Sequence, residues 1–299
     1  MSTNWRVNSL LVYIAPWFSS PLLWYHQHVI GHHAYTNLPG KDPDLYHAPS
    51  VWRFTPEIRW RASHGWQSLT TPLLWAMGVP TLLFIKPILA LRSGFFNRVV
   101  HISKLPLWRI GLHALGRALV FASLYVWPFY AFPENSLKAL AFSILPISVY
   151  SLWFMAWSQI NHHSLEASAH NSEVVSRNWY RHQAATSQSV APQSRLAFLL
   201  SGGLNLQAEH HLFPTVNHAH LVHLQPHIQA AALAHGVRYP VSDTVWGAFL
   251  KLFSFLSHMG VKPSLGGVRL EGGVGTLSPR KVRVEETGER ALRARKQHE

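Results

Sequence analysis

Two long apolar stretches lie near the middle of the chain, between polar stretches that are rich in histidine. Residues 110–132 and 137–157 are almost continuously apolar, and each is close to the ~20 residues that a helix needs to cross the hydrocarbon core of a bilayer. The connection 133–136, Pro-Glu-Asn-Ser, is too short for anything but a tight turn. The pattern therefore predicts a transmembrane helical hairpin.

The remaining apolar segments are less regular. Prolines interrupt residues 7–24 and 69–91, and the second segment also carries a lysine, which indicates interfacial or re-entrant segments rather than clean spans. Residues 241–260 form an amphipathic stretch, and the polar regions 24–64 and 158–235 should face water. We therefore predict an all-α, membrane-embedded helical fold with at least one transmembrane hairpin, interfacial helices and a His-rich helical cap.

The character of the chain changes near residue 261. Residues 1–261 contain all the apolar and histidine-rich segments, and we predict that they form one domain. Residues 262–299 are first glycine-rich and then charge-rich, with no periodicity that could be buried. A disordered basic tail is the expectation for such a composition.

Composition restricts the possible chemistry. Charged residues make up 13% of the 299 residues, about half the ~25% of ordinary soluble domains. The chain has no cysteine, which excludes disulfides, thiolate zinc sites and iron–sulfur clusters. It has 21 histidines, so metal chemistry would have to use imidazole, carboxylate and amide ligands.

The net charge of +13 is distributed as in a membrane protein. No basic motif interleaved with aromatic residues is present, so nucleic-acid binding is not expected. The connection 92–109 carries four basic residues and no acid, whereas the connection 133–136 carries one acid. The positive-inside rule makes the first connection cytosolic and the second lumenal. Both histidine-rich regions then lie on the cytosolic side, provided that residues 69–91 return to the side from which they leave.

The first histidine cluster reads HQHVIGHH at residues 26–33. In an α-helix, His28 and His32 would share one face because they are four residues apart. His33 would be rotated by about 100° from His32. Adjacent histidines therefore point in different directions, which suits two neighbouring metal ions better than one.

Two further clusters repeat this pattern. In NLQAEHH, residues 205–211, Gln207 precedes the histidine pair at the spacing of the first cluster, with an amide in place of the leading imidazole. QINHH, residues 159–163, lies where the second predicted span ends. The predicted metal ligands are His28, His32, His33, His162, Gln207, His210 and His211. His163 and His26 remain alternatives.

Ligating histidines normally donate their second ring N–H to an acid or a carbonyl. The polar residues near the clusters that could accept or support such hydrogen bonds are Asn37, Asp42, Asp44, Glu166, Asn205 and Glu209. Asp42 and Asp44 also have a simpler interpretation as turn residues around Pro43.

These motifs resemble the histidine boxes of membrane fatty-acid desaturases. HQHVIGHHAYTN followed by DPD resembles the second box, and NLQAEHHLFPTV resembles the third box in the glutamine-containing form of front-end desaturases. QINHH is similar to the element between them that supplies a further ligand, here His162. The resemblance covers roughly residues 4–240.

The resemblance implies an endoplasmic-reticulum membrane enzyme with two iron ions and cytosolic histidine boxes. Such an enzyme takes electrons from cytochrome b5 and its reductase, and uses O₂ to insert a cis double bond on the carboxyl side of an existing one. Its substrate is a polyunsaturated acyl chain carried as acyl-CoA or acyl-lipid. HAYTN and DPD after the second box favour the Δ5 position over Δ4 or Δ6.

Parts of the family pattern do not occur in this sequence. The first box of the form H-D-x-x-H, the first transmembrane hairpin and the His-Pro-Gly-Gly haem motif of a fused cytochrome b5 domain are missing from it. The expectation is an N-terminally truncated, partial desaturase domain that lacks about two of the family's metal ligands.

Other functions remain open at this point. An inactive remnant of such an enzyme and a related fatty acyl hydroxylase both fit the same motifs. A bis-histidine haem protein would place histidines within paired spans, whereas only His113 lies inside one. A zinc hydrolase would need H-E-x-x-H or H-x-x-E-H, and the second fails because Leu206 occupies the required position.

Overall fold

The computed structural model describes residues 4, 7, 21–168 and 178–263 of the chain. Most of the predicted interfacial segment 7–24 and nearly all of the predicted tail 262–299 lie outside these residues, so both stay predictions. The described residues are mostly helical, as the all-α prediction requires.

The helices and strands are labelled here in chain order. The helices are α1 (Pro21–Trp24, π-helical Tyr25–His32 and His33–Tyr35), α2 (Gln67–Trp75), α3 (Gly78–Pro80, Thr81–Ile85 and Lys86–Ser93), α4 (Leu107–Phe121, Ala122–Val126 and Trp127–Ala131), α5 (Ser136–Ile160), α6 (Trp179–Thr186), α7 (Arg195–Ser201), α8 (Gln207–Leu212), α9 (His218–Ala234) and α10 (Val245–Gly260). Short 3₁₀ helices occur at Pro43–Tyr46 and Ala62–Trp66. The strands β1 (Phe95–Phe96) and β2 (Val100–His101) pair antiparallel, and β3 (Ser189–Val190) and β4 (Val241–Ser242) pair parallel.

Helices α4 and α5 form the predicted apolar hairpin. Leu107–Ala131 and Ser136–Ile160 have mean hydropathies of 1.4 and 1.7, and each is long and apolar enough to cross a membrane. Asn135 begins α5, because its side chain accepts a hydrogen bond from the backbone N–H of Lys138 at 2.9 Å. The prediction of two membrane-capable helices is therefore confirmed.

The segment between the first histidine cluster and this hairpin is sharply bent. Ala62–Trp75 and Gly78–Ser93 meet at 77°. Ser151 on α5 holds the bend: its hydroxyl donates to the carbonyl of Trp75 and accepts from the N–H of Val79 at 2.8 Å. Such a bend fits either a broken span or a re-entrant segment, and the side of the membrane to which the chain returns stays a prediction.

The polar parts of the chain converge at the C-terminal end of α5. Helix α10 packs Leu252, Phe255 and Leu256 into the same apolar core as Trp157 and Ile160 of α5. Strand β3 pairs with β4 and also forms an isolated bridge between Ser189 and Leu206, which positions the start of α8. As a result, α1, the end of α5 and α8 meet around one centre.

Candidate metal centre

The first histidine cluster lies on a π-helical segment rather than an α-helix. The backbone N–H of His33 donates to the carbonyl of His28, five residues earlier. This i→i+5 pattern places residues five apart on the same side of the helix. The Nε2 atoms of His28 and His33 consequently lie 3.1 Å apart. The rings of His28 and His32 also lie close together, with their centroids 5.4 Å apart, as expected for residues that share a face, but the ring nitrogens that approach each other are those of His28 and His33.

Six histidines form two groups of three. Group A consists of His28, His33 and His210, and group B consists of His32, His162 and His211; within each group the candidate ligand atoms lie within 4.8 Å of one another. The groups adjoin, because the rings of His33 and His211 stack with their centroids 4.4 Å apart. Both adjacent pairs, His32–His33 and His210–His211, are divided between the groups.

Helix α8 supplies one histidine to each group and an amide to group B. The Nε2 of Gln207 lies 3.2 Å from the Nε2 of His162 and 3.3 Å from that of His211. Its Oε1 is buried and has no hydrogen-bond partner among the described residues. A half-turn of the amide would direct this oxygen at group B, so Gln207 can supply an oxygen ligand to a cation held there.

His32 is oriented by the two aspartates that follow the cluster. Its Nδ1 lies 3.1 Å from Oδ2 of Asp42 and 3.5 Å from Oδ2 of Asp44. Asp42 is itself fixed, because its carboxylate also accepts from the backbone N–H of Asn37 at 2.6 Å and that of Asp44 at 2.9 Å. With Nδ1 engaged in this way, Nε2 of His32 faces the other histidines of group B.

Gln183 on α6 connects both groups, although the sequence analysis did not identify it. Its Oε1 accepts from Nδ1 of His211 at 2.9 Å, and its Nε2 donates to the backbone carbonyl of His33 at 2.9 Å. The first contact leaves Nε2 of His211 directed into group B. A lone glutamine 150 residues from His33 has no motif that would have identified it.

Asn37 supports the site through the backbone rather than through a ring. Its φ of +57° is left-handed, a conformation that asparagine adopts more readily than most residues. Its Nδ2 lies 2.8 Å from the carbonyl of His162, 3.1 Å from that of Ala167 and 3.0 Å from that of Thr186. It therefore ties the end of α1 to the segment after α5.

Two of the predicted supporting residues have other partners. Glu166 is 47% exposed and pairs with Lys251, 3.5 Å away. Asn205 is buried, but its Nδ2 donates to the carbonyl of Val190 at 3.2 Å. Neither has a hydrogen bond to a ring of group A or B in the part of the chain that the structure describes, so these two expectations are corrected.

Glu209 also points away from the two groups, which corrects the third of these expectations. Its carboxylate accepts from the hydroxyl of Ser189 at 2.6 Å and from that of Tyr239. Burial raises the pKa of Glu209, and these hydroxyl hydrogen bonds act in the opposite direction. The residue joins α8 to β3 and to the segment before β4, which makes its role structural.

His163 and His26 do not belong to either group. The ring of His163 stacks on Phe54 at 4.2 Å and on Phe255 at 5.6 Å. His26 places its Nε2 3.0 Å from the hydroxyl of Ser103. Both alternatives that the sequence left open therefore have contacts outside the centre.

Burial favours the neutral form of most of the histidine rings in groups A and B. It lowers the pKa of His33 to about 3 and that of His210 to about 4, with neighbouring histidines adding to the effect. The pKa values of His28, His162 and His211 are lowered for the same reason. Neutral imidazole is the form that binds metal, so these five rings need not lose a proton first.

His32 is the exception. Burial alone would lower its pKa, but the carboxylates of Asp42 and Asp44 outweigh burial and raise it to about 9. A metal ion bound at Nε2 of His32 would displace that proton, and Nδ1–H would remain bonded to Asp42. This histidine–carboxylate arrangement is common behind metal-ligating imidazoles.

The donor set fits two transition-metal ions. Each group directs three imidazoles at one point, and imidazole suits iron, zinc and copper. Group B adds the unpartnered Oε1 of Gln207. Three imidazoles leave further coordination positions for oxygen or other ligands. The neighbouring His32 and His33 divide between the groups, which is the arrangement that a two-metal centre requires.

Gly31 allows α1 to approach the turn that carries Asp42. A Cβ on Gly31 would lie 2.8 Å from the ring of Pro43 and 2.8 Å from Val100. We expect Gly31→Ala to lower the free energy of unfolding by about 1–3 kcal/mol, because the proline ring cannot move aside. Thermal unfolding of the purified chain checks this. Gly111→Ala is the control, since that position has nothing within 4 Å; equal losses in both variants would contradict the packing argument.

The comparisons with known proteins point to one family. The family model for fatty acid desaturases matches residues 1–242. The chain is 29% identical to an acyl-lipid (8-3)-desaturase of Mortierella alpina, over 82% of this chain and 55% of the relative. It is 28% identical to an acyl-lipid omega-13 desaturase of Chlamydomonas reinhardtii, over 78% of this chain and 50% of the relative.

A third relative has a name that states another position for the double bond. The chain is 24% identical to a Delta(5) fatty acid desaturase A of Dictyostelium discoideum, over 82% of this chain and 54% of the relative. The chain thus spans about half the length of these curated relatives. No solved structure matches. The match over residues 1–242, together with the two histidine groups, shows that the chain belongs to the fatty acid desaturase family.

Proposed function

We propose that this chain carries the metal centre of a front-end fatty acyl desaturase, with one iron ion held by group A and one by group B. The observation that carries the proposal is the convergence of two adjoining groups of three imidazoles. The ligands are His28, His33 and His210 for the first ion, and His32, His162, His211 and Gln207 for the second.

The chemistry requires a strong oxidant in a dry site. The iron pair would supply the oxidising power to remove one hydrogen from each of two adjacent methylenes, with O₂, two electrons and two protons consumed and two waters released. Group B is buried, which excludes bulk water from that part of the centre. Imidazole ligands are neutral, so two cations in this site would keep most of their positive charge.

The surrounding residues of this chain hold the rings in place. Asp42 accepts the Nδ1–H of His32, and Gln183 accepts that of His211. Each contact fixes which ring nitrogen faces the centre, so a bound ion meets a preformed ligand set. In this proposal Asp42 also stays bonded to His32 when a metal replaces the proton on Nε2.

We propose Δ5 as the position of the new double bond, ahead of Δ4 or Δ6. The sequence after the first cluster, HAYTN and DPD, supports this position, as does the name of the Dictyostelium relative. The Chlamydomonas relative is named for a different position. The proposed substrate is a polyunsaturated acyl chain, and the proposed electron donor is cytochrome b5 with its reductase.

The proposed location is the endoplasmic-reticulum membrane, with the histidine groups on the cytosolic side. Two membrane-capable helices support a membrane protein. The cytosolic assignment depends on the four basic residues of the connection 92–109 and on the acid in 133–136. It also requires that the bent segment 62–93 return to the side from which it leaves.

Expression in yeast tests the proposed function. Cells that produce the chain and are fed a polyunsaturated acid without a double bond at position 5 should accumulate the Δ5 product, detected by mass spectrometry of fatty-acid methyl esters. His33→Ala should reduce product by more than about a hundredfold, because it removes a metal ligand. The exposed His223→Ala is the matched control and should retain full activity.

Each other outcome would overturn part of the proposal. A hydroxylated product would replace desaturation with the hydroxylase alternative. An iron-loaded chain without any product would favour the inactive remnant. Full activity of His33→Ala would remove this residue from the ligand set.

A further inference from the structure

The hydrogen bonds that orient two rings of group B have no counterpart at His210 of group A. Asp42 accepts from Nδ1 of His32, and Gln183 accepts from Nδ1 of His211. The Nδ1 of His210 is buried, yet no atom in the described part of the chain forms a hydrogen bond with it. A metal-ligating ring without such a partner needs another contact to hold its orientation.

The contact that the structure offers to His210 is the ring of His218. The two rings meet edge to face, with their centroids 5.1 Å apart and their planes at 86°. Aromatic rings prefer this arrangement at such distances. His218 is the first residue of α9, and residues 213–217 return the chain from the end of α8 to this point. The tight connection between the two helices therefore brings His218 back against His210.

His218 is itself held in place by the residues that precede α8. Its Nδ1 donates to the backbone carbonyl of Gly202 at 3.1 Å. Gly203 has a left-handed φ of +87°, and a Cβ at this position would lie 2.9 Å from the Cβ of His218. The side chain of His218 thus occupies a space that only glycine leaves free. With one ring nitrogen bonded and the Cβ in close contact, the ring has little freedom to turn away from His210.

His218 touches the centre without being one of its candidate ligands. The ligand atoms of group A come from His28, His33 and His210, and the described part of the chain adds no atom of His218 to them. The effect of His218 on a bound ion therefore passes through His210. His28 has a comparable neighbour, because Trp24 stacks on it with the ring centroids 4.0 Å apart. Ring contacts thus do for group A what hydrogen bonds do for two rings of group B.

We propose that His218 is a positioning residue for group A: it fixes the orientation of His210, so that the ligand nitrogen of His210 stays directed at the metal ion. This inference rests on the proposed metal centre and adds a supporting residue to it. The ring that His218 contacts belongs to group A. Loss of His218 should consequently weaken metal binding by group A and leave group B unchanged.

Cobalt binding to the purified full chain in detergent tests this proposal. Co²⁺ binds imidazole ligands, and its visible absorption reports its coordination number, so the measurement does not depend on catalysis. Two backgrounds separate the groups. His32→Ala combined with His211→Ala retains group A, and His28→Ala combined with His33→Ala retains group B.

Three substitutions are compared in each background. His218→Ala removes both contacts of the ring. His218→Asn keeps a side-chain nitrogen at the position of Nδ1, which can still donate to the carbonyl of Gly202, but it removes the rest of the ring that meets His210. His220→Ala is the control, because this histidine is exposed on the same helix.

In the background that retains group A, we expect both His218 variants to bind Co²⁺ about tenfold more weakly than the His220→Ala control. In the background that retains group B, all three variants should bind Co²⁺ equally well. The coordination number of Co²⁺ in group A should be the same in every variant, because no ligand is removed.

Three results would overturn the proposal. Full Co²⁺ affinity in His218→Asn would confine the role of His218 to its hydrogen bond with Gly202. Equal weakening in both backgrounds would show a general loss of structure. A lower coordination number in the His218 variants would make His218 a ligand rather than a positioning residue.

Desaturation, measured separately, distinguishes this inference from the proposed function. A chain that shows the expected dependence of Co²⁺ binding on His218 but forms no double bond would refute the proposed function and support the role of His218. A chain that desaturates, while His218→Asn and His220→Ala bind Co²⁺ equally well in group A, would refute the role of His218 alone.

Discussion

Replacing His28 and His33 together should remove about one iron ion per chain, and replacing His32 and His211 together should also remove about one. The combination of His28→Ala with His32→Ala should remove both ions. The reason is the π-helical segment of α1, which places His28 and His33 in one group and His32 in the other. Metal analysis of the purified variants, expressed per chain, measures the outcome.

The control for this experiment is a pair of exposed histidines on α9. His223→Ala combined with His227→Ala should leave the iron content unchanged, because neither residue belongs to a histidine group among the described residues. An α-helical arrangement predicts the reverse order, in which the His28 and His32 pair loses one ion and the His28 and His33 pair loses both. That reversed order would contradict the group assignment.

Asp42→Asn should weaken iron binding by group B by about 10- to 100-fold and leave group A nearly unchanged. Three donors converge on the Asp42 carboxylate: Nδ1 of His32 and the backbone N–H groups of Asn37 and Asp44. An asparagine has only one side-chain oxygen, so its amide nitrogen would face a buried donor. Each unsatisfied buried donor costs about 1–3 kcal/mol.

Competition with an iron chelator measures the iron affinity of group A and that of group B in Asp42→Asn. Desaturation should fall together with the occupancy of group B. Glu166→Gln is the matched control, because it neutralises a carboxylate whose recorded partner is Lys251 rather than a ring of the centre. Equal weakening of both groups in Asp42→Asn, or no weakening at all, would refute the role of Asp42 in orienting His32.

Hydropathy was sufficient to locate α4 and α5 in the sequence. The predicted stretches 110–132 and 137–157 fall within three residues of the helix ends at Leu107, Ala131, Ser136 and Ile160. A membrane-capable helix is a local property, since its length and apolar character are both read directly from consecutive residues. The bend before the hairpin was less accessible, because it depends on the distant hydroxyl of Ser151.

The pairing of the histidines was not accessible from spacing alone. An α-helical reading places His28 with His32, and a π-helical one places His28 with His33. The sequence does not state which helix forms, because the hydrogen-bond pattern of a helix depends also on contacts with parts of the chain that are distant in sequence. The division of adjacent histidines between two groups was predictable, since neighbouring side chains diverge in either helix.

The sequence identified some of the residues that contact the histidine rings and missed others. Asp42 and Asp44 lie close to the cluster in sequence and do contact His32. Glu209 is next to His210 in sequence, yet it points the other way, because adjacent helical residues face different directions. Gln183 contacts both groups from a distant helix, and only the folded chain brings it there.

The iron stoichiometry of the unsubstituted chain tests the central claim most directly. Groups A and B each offer three imidazoles, so we predict about two iron ions per chain, with a Mössbauer spectrum of iron in nitrogen-rich coordination. A chain that binds a single iron ion would contradict this prediction.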